Sequence, residues 1–196
     1  MPKQDWEENT VRRIFEAQGL WPWGDREFVS ILDVACGLSL KSKFLPARIR
    51  VGVDIHEEYF KHIEADVPYV TLKLDVRELG RVFQPQSFDL VLALDIIEHL
   101  EKAEALALIA DCERIARDAV ILETPLGYVP QNIDIQGHGG DVWQTHRSGW
   151  EAEELEGLGY SVVRRPYRMA DVKRHTEVDV APDITILDAI KFSTPH

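Results

Sequence analysis

Short apolar runs punctuate this chain, and most of them end in a carboxylate. Phe28, Val29, Ile31 and Leu32 lead into Asp33, and Val51-Gly52-Val53 leads into Asp54. Residues 67–75 close on Asp75, the run from Phe88 to Leu94 closes on Asp95, and Ala119 to Leu122 closes on Glu123. Two further runs cover residues 160–166 and 184–192. These runs read as strands, and the nearly continuous one at 88–94 is typical of a strand buried on both faces of a parallel sheet. Between them the period changes. Ile97, Leu100, Ala103, Leu106, Leu108, Ile109 and Ile115 form a stripe among Glu, Lys and Arg, which predicts an amphipathic helix over 97–117. Trp6, Val11, Ile14 and Phe15 mark another over 5–19, stopped at Gly19. Short helices are expected after Gly37 and around His56–Phe60. Ser148 with Glu151 reads as a capping box opening a helix that runs to Leu158 and stops at Gly159.

Strands alternating with helices predict an α/β fold, a Rossmann-like doubly wound sheet of seven strands. It should be mostly parallel. The irregular stretch 167–183 replaces a crossover helix, so the last strand is expected to run antiparallel. Residues 1–27 read as an N-terminal helical cap and 28–196 as the main domain. Two segments interrupt the alternation. Residues 124–147 are rich in Gly and Pro and too long for a plain connection; Tyr128, Trp143, His138 and His146 mark them as a functional loop. Trp21-Pro22-Trp23-Gly24 is a rigid aromatic turn, either a packed cap over the sheet or a wall of the substrate site.

Composition narrows the function. The 196 residues carry a formal charge of −12, which disfavours a nucleic-acid partner because phosphate binding draws on clustered Lys and Arg. Cys36 and Cys112 form no CxxC, and the histidines show no metal spacing, so no metal is expected. The first residues carry acids rather than an apolar leader, and no run approaches a membrane span. The expectation is a soluble, cytoplasmic chain with no membrane partner.

The turn after the first strand, DVACGLS, carries Gly37 alone, with Ala35 and Ser39 at the flanking small positions. A pyrophosphate needs closer backbone approach than one glycine supplies, so NAD is disfavoured, and a P-loop would need Gly-Lys-Ser/Thr. Asp54 follows the turn at about the distance from which a carboxylate reaches ribose hydroxyls. The unit reads as a nucleoside site.

Five stretches in this order resemble the motifs of class I S-adenosylmethionine-dependent methyltransferases: ILDVACGLS, VGVDI, LKLDV, FDLVLALDIIEHL, and ETPLGYVPQ followed by WQTHRSGWEAEELEGLGYSV. The resemblance runs from residue 28 almost to the end. It implies S-adenosyl-L-methionine as cofactor. By that resemblance Asp33, Ala35 and Gly37 flank the methionine and adenosine, and Asp54 with Ile55 holds the ribose. Asp75 with the Val76 amide reads the adenine edge, and Asp95 lies near the amino-acid end. The implied activity is methyl transfer, to an oxygen of a small molecule or a glycan. An oxygen nucleophile benefits from a general base. His146, closing the long loop, and His99, after the fourth strand, are the candidates, with Tyr128, Trp143 and Gln144 shaping the acceptor pocket. Ala35 and Ser39 stand where the family usually has glycine, which leaves open a non-catalytic protein that kept the fold.

Overall fold

Strand order is β3-β2-β1-β4-β5-β7-β6 in the computed structural model, where β1 is Phe28–Val34, β2 Ala47–Asp54, β3 Tyr69–Lys73, β4 Phe88–Leu94, β5 Ala116–Pro125, β6 Ser161–Tyr167 and β7 Ile184–Phe192. The structure describes residues 11–64, 68–167 and 184–193. Trp6 and the start of the predicted 5–19 helix, the irregular stretch 168–183, His175 and His196 lie outside the described residues. The first five strands run parallel, β7 is antiparallel to β5, and β6 is antiparallel to β7. The seven-stranded, mostly parallel sheet with an antiparallel last strand is therefore as the sequence predicts.

The helices depart from prediction. Between β1 and β2 the chain makes one 3₁₀ turn, Ser42–Phe44, and between β2 and β3 another, Glu57–His62. Ser39 and Ser42 are tied to Asp33, and Pro46 cannot extend a helix. The predicted helix over 97–117 is split. A 3₁₀ turn covers Ile97–His99, and helix α3 runs Lys102–Ile115 from a capping box of Glu101 and Glu104. The break follows from the loop: the Glu98 carbonyl accepts from the amides of Arg147 and Ser148, so it is spent outside the helix. The capping box of α4 (Ala152–Gly157) is Glu151 with Glu154, not Ser148 with Glu151. Ser148 instead donates to the Ile97 carbonyl and accepts from Trp150 Nε1. Helices α1 (Val11–Glu16) and α2 (Leu79–Val82) complete the set of described α-helices.

Both sheet faces are covered. One carries the side of α3 with Ala105, Leu108, Ile109 and Cys112, together with Trp150 and Leu155. The other carries Val11 and Phe15 of α1 with Trp21, Phe28 and Leu45. The aromatic turn is a packed cap: Trp23 stacks edge-on against Trp21 at 4.8 Å and Phe28 at 5.3 Å, and reaches Phe192 at 5.5 Å. From β1 the chain winds outward to β3 and then returns to β4 on the opposite side. That reversal opens a crevice beyond the carboxyl ends of β1 and β4, the position where open α/β sheets bind ligands. No described helix is long and apolar enough to cross a membrane.

Candidate active site

A cavity of about 720 Å³ occupies this crevice, within the range of small-molecule sites. Asp33, Ala35, Gly37, Asp54, Ile55, Asp75, Val76, Asp95, His99, Trp143, Gln144 and His146 all line it. Tyr128 does not. It is 59% exposed and donates to the His146 carbonyl at 3.3 Å, so it braces the loop from outside.

At one end lies the turn after β1. Ala35, Gly37 and Ser39 take φ of 54°, 49° and 55°, the left-handed region in which a Cβ costs about 1–2 kcal/mol. Two carboxylates hold this conformation. Asp33 Oδ2 accepts from Ser39 Oγ at 3.1 Å, from Tyr69 Oη at 3.0 Å and from Ser42 Oγ. Asp54 Oδ2 accepts from the Gly37 amide at 2.9 Å, and Oδ1 from the His56 amide at 2.8 Å. Gly52 makes the Tyr69 contact possible: a Cβ there would stand 2.5 Å from the phenol oxygen. Burial pushes Asp33 up to about 6, against the pull of its three hydroxyl donors. Burial also raises Asp54, opposed by the amides of His56 and Gly37. Asp75 is different. Hydrogen bonds from the Arg77 guanidinium hold it below the usual carboxylate range while it caps the following 3₁₀ turn through the Arg77 amide.

Lys41, Asp95 and Glu123 of the cavity wall belong to a charge cluster. Lys41 Nζ contacts Asp95 Oδ2 at 2.5 Å and Glu123 Oε1. Arg165 reaches Glu123 at 3.4 Å and pairs with Asp188 at 2.9 Å. Three carboxyl groups thus share two cations. Glu123 is buried and divides both cations with other acids; burial, with Asp95 and Asp188 beside it, pushes it up to about 8.

The far end is built from β4's 3₁₀ turn and the long loop. Glu98, His99 and His146 are all buried there, and the two imidazoles meet edge-on at 4.7 Å. His146 Nδ1 donates to the Val129 carbonyl, which leaves Nε2 with its lone pair. His99 Nδ1 has no partner. Burial and then the neighbouring His146 hold His99 down to about 4, and burial lowers His146. Both are neutral at pH 7. Glu98 Oε2 accepts from Thr124 Oγ1 at 2.9 Å.

Sequence reasoning did not single out Lys41, Glu98, Glu123 or Gln136. Glu123 ends an apolar run as Asp33 and Asp54 do, so the same rule reaches it. Lys41 carries no local signal. Gln136 belongs to the long loop and lies over Gly37, where an added Cβ would meet its amide at 3.4 Å.

Residues 31–119 match a family described as a methyltransferase domain. No curated protein matches the chain. Solved structures with the same fold include a SAM dependent methyltransferase from Archaeoglobus fulgidus, 16% identical, TM-score 0.57, aligned over 95% of this chain and 97% of that one. A methyltransferase from Mesorhizobium loti is 14% identical with a TM-score of 0.58, over 94% and 100%. Magnesium protoporphyrin IX methyltransferase from Synechocystis, solved with bound SAM, is 18% identical with a TM-score of 0.55, over 94% and 77%.

Proposed function

The chain carries a domain of the class I S-adenosylmethionine-dependent methyltransferase family, and on that premise we propose that it transfers a methyl group from S-adenosyl-L-methionine to an oxygen of a small-molecule or sugar acceptor. The carrying observation is that one cavity joins the acid row at β1–β3 to the neutral histidines beyond β4.

The residues fit the cofactor. Each Asp54 oxygen uses one lone pair on a backbone amide, and a carboxylate has about four acceptor sites, so two remain for ribose hydroxyls. Gln136 Oε1, on the cavity wall above the turn, is shut from solvent without a donor. Ala35 and Ser39 adopt the left-handed backbone that glycine would supply, so the turn keeps its path despite the substitutions. That removes much of the reason to read the chain as a non-catalytic relative. Asp54 and Ile55 would hold the ribose, Asp75 and Val76 the adenine, and Asp95 with the turn the amino-acid end. Bound there, the cofactor supplies an already activated methyl group, so the protein's part is alignment and exclusion of water.

The residues of the far end act on the acceptor. Each neutral imidazole presents a nitrogen able to take the proton of an attacking hydroxyl. Trp143, 40% exposed, lines the same cavity as the amides Gln131, Asn132 and Gln144. A sugar ring, apolar on its faces and polar at its edges, suits that pairing. Calorimetry with S-adenosylmethionine and S-adenosylhomocysteine tests the reading. Saturable binding is expected, followed by S-adenosylhomocysteine release with hydroxylated acceptors. No binding at millimolar concentration overturns it. Binding without turnover of any acceptor returns the chain to the non-catalytic class.

A further inference from the structure

The geometry points to a divalent transition-metal ion held by Glu98, His99 and His146 at the acceptor end of the cavity. Among the described residues, one group of His, Cys, Asp and Glu side chains converges this way. One oxygen of Glu98 and one ring nitrogen of each histidine lie within 4.8 Å of one another, and all three side chains are buried. An ion bonded at 2.0–2.2 Å needs its donors about 3–4 Å apart, a closure of roughly 1 Å by side-chain rotation alone.

Three further observations make this more than proximity. Both rings keep a nitrogen for a ligand: His146 spends Nδ1 on the Val129 carbonyl and keeps Nε2, and His99 Nδ1 is shut from solvent with no partner. Glu98 is oriented by Thr124 Oγ1, which donates to its Oε2. Glu98 also lacks a cationic partner among the described residues. No described cation pairs with Glu98, because Lys41 is taken by Asp95 and Glu123, and Arg165 by Glu123 and Asp188. A cation held between Glu98 and the two imidazoles would supply the partner that the described residues do not. The scaffold is also braced: the Glu98 carbonyl takes two loop amides, which fixes His146 against a turn 47 positions earlier in the chain. Two imidazoles and one carboxylate favour Mn, Fe, Co, Ni or Zn over Mg or Ca, and three protein donors leave positions open for water or acceptor oxygens.

Metal binding does not depend on the proposed methyl transfer. Only the ion's use does: coordinated to it, an acceptor hydroxyl would give up its proton to water in the open cavity more readily, with the histidines as ligands rather than bases. The test uses the full chain freed of metal by chelator dialysis and titrated with CoCl₂, followed by visible absorption and calorimetry. One equivalent per chain is expected. His99→Gln and His146→Gln should each weaken it on the order of 100-fold, and Glu98→Gln at least about tenfold, given that even second-shell losses cost 10–100-fold. His62→Gln breaks the stacked pair of His62 and His138, ring centroids 4.0 Å apart, and should leave cobalt binding intact. No saturable binding, or binding that survives both histidine substitutions, or binding lost with His62→Gln, overturns the assignment. Should a variant fail to fold, ¹⁵N imidazole resonances of the wild type titrated with Zn²⁺ decide: those of His99 and His146 move if they are ligands and stay fixed if they are not. S-adenosylhomocysteine affinity is measured on the same metal-free protein. Cobalt binding without it keeps the metal site and sinks methyl transfer; the converse sinks the metal site alone.

Discussion

Replacing Asp54 with Asn separates the two tasks that this carboxylate performs. Its oxygens accept from the Gly37 amide at 2.9 Å and the His56 amide at 2.8 Å, and so hold the turn after β1 against the chain after β2. Asn keeps one oxygen and turns an NH₂ toward the other amide. One buried backbone donor is then unsatisfied, at a cost of about 1–3 kcal/mol. Removing the buried charge offsets part of this, because burial already disfavours the ionised form of Asp54. A net loss of about 1–2 kcal/mol corresponds to a fall in melting temperature of roughly 2–8 °C for a chain of this size. The cofactor loss is separate. A hydrogen bond from a ribose hydroxyl to a charged acceptor contributes about 1.5–3 kcal/mol, so affinity should fall by about 10- to 150-fold. Asp54→Ala would remove both amide acceptors and confound the two effects, which is why Asn is the informative change. The assay is calorimetry with S-adenosylhomocysteine well below the melting point, alongside a thermal melt. A folded Asp54→Asn protein with unchanged affinity would refute the ribose role.

Other substitutions probe the frame around the site. Ala35→Gly relieves a left-handed Cβ costing about 1–2 kcal/mol, against roughly 0.5–1 kcal/mol of added chain entropy, so a small stabilisation is expected. Ser39→Gly also removes a hydroxyl donor from buried Asp33 and should destabilise; urea midpoints of the same sign for both would contradict the strain argument. Glu123, at about 8 against an ordinary 4.5, binds its proton more tightly folded than unfolded. Its contribution is full below the unfolded value and is lost as pH rises through about 8, so wild-type urea midpoints should fall across that window, with a flatter profile in Glu123→Gln. An equally steep or steeper dependence in the variant would refute Glu123 as the group that carries the proton. Trp150, 1% exposed and lying under the Lys102 ammonium at 3.6 Å, should cost about 3–5 kcal/mol when cut to Ala; a change below 1 kcal/mol by denaturant unfolding would place it outside the core.

The sheet was legible in the sequence because its determinants are local. Seven apolar runs with turn residues between them leave few topologies, and the polar sequence of 167–183, without a helical period, allowed for the antiparallel strand. The acids at the strand ends were legible for the same reason, since a residue that closes a buried run of a parallel sheet must emerge at its carboxyl edge. The helices were less so. Glu98 looks helical by period, yet two loop amides claim its carbonyl, and Ser148 looks like a cap, yet its hydroxyl is spent on Ile97. Hydrogen bonds between residues about 50 positions apart leave no trace in periodicity. The same limit hid the site's electrostatics. Nothing in the local sequence around Lys41 brings it to Asp95 and Glu123, and nothing in the spacing of Glu98 and His99 brings them to His146. Sheet order and the path of the long loop decide those meetings, because a carboxylate or an imidazole acquires its proton affinity from whatever the fold sets beside it.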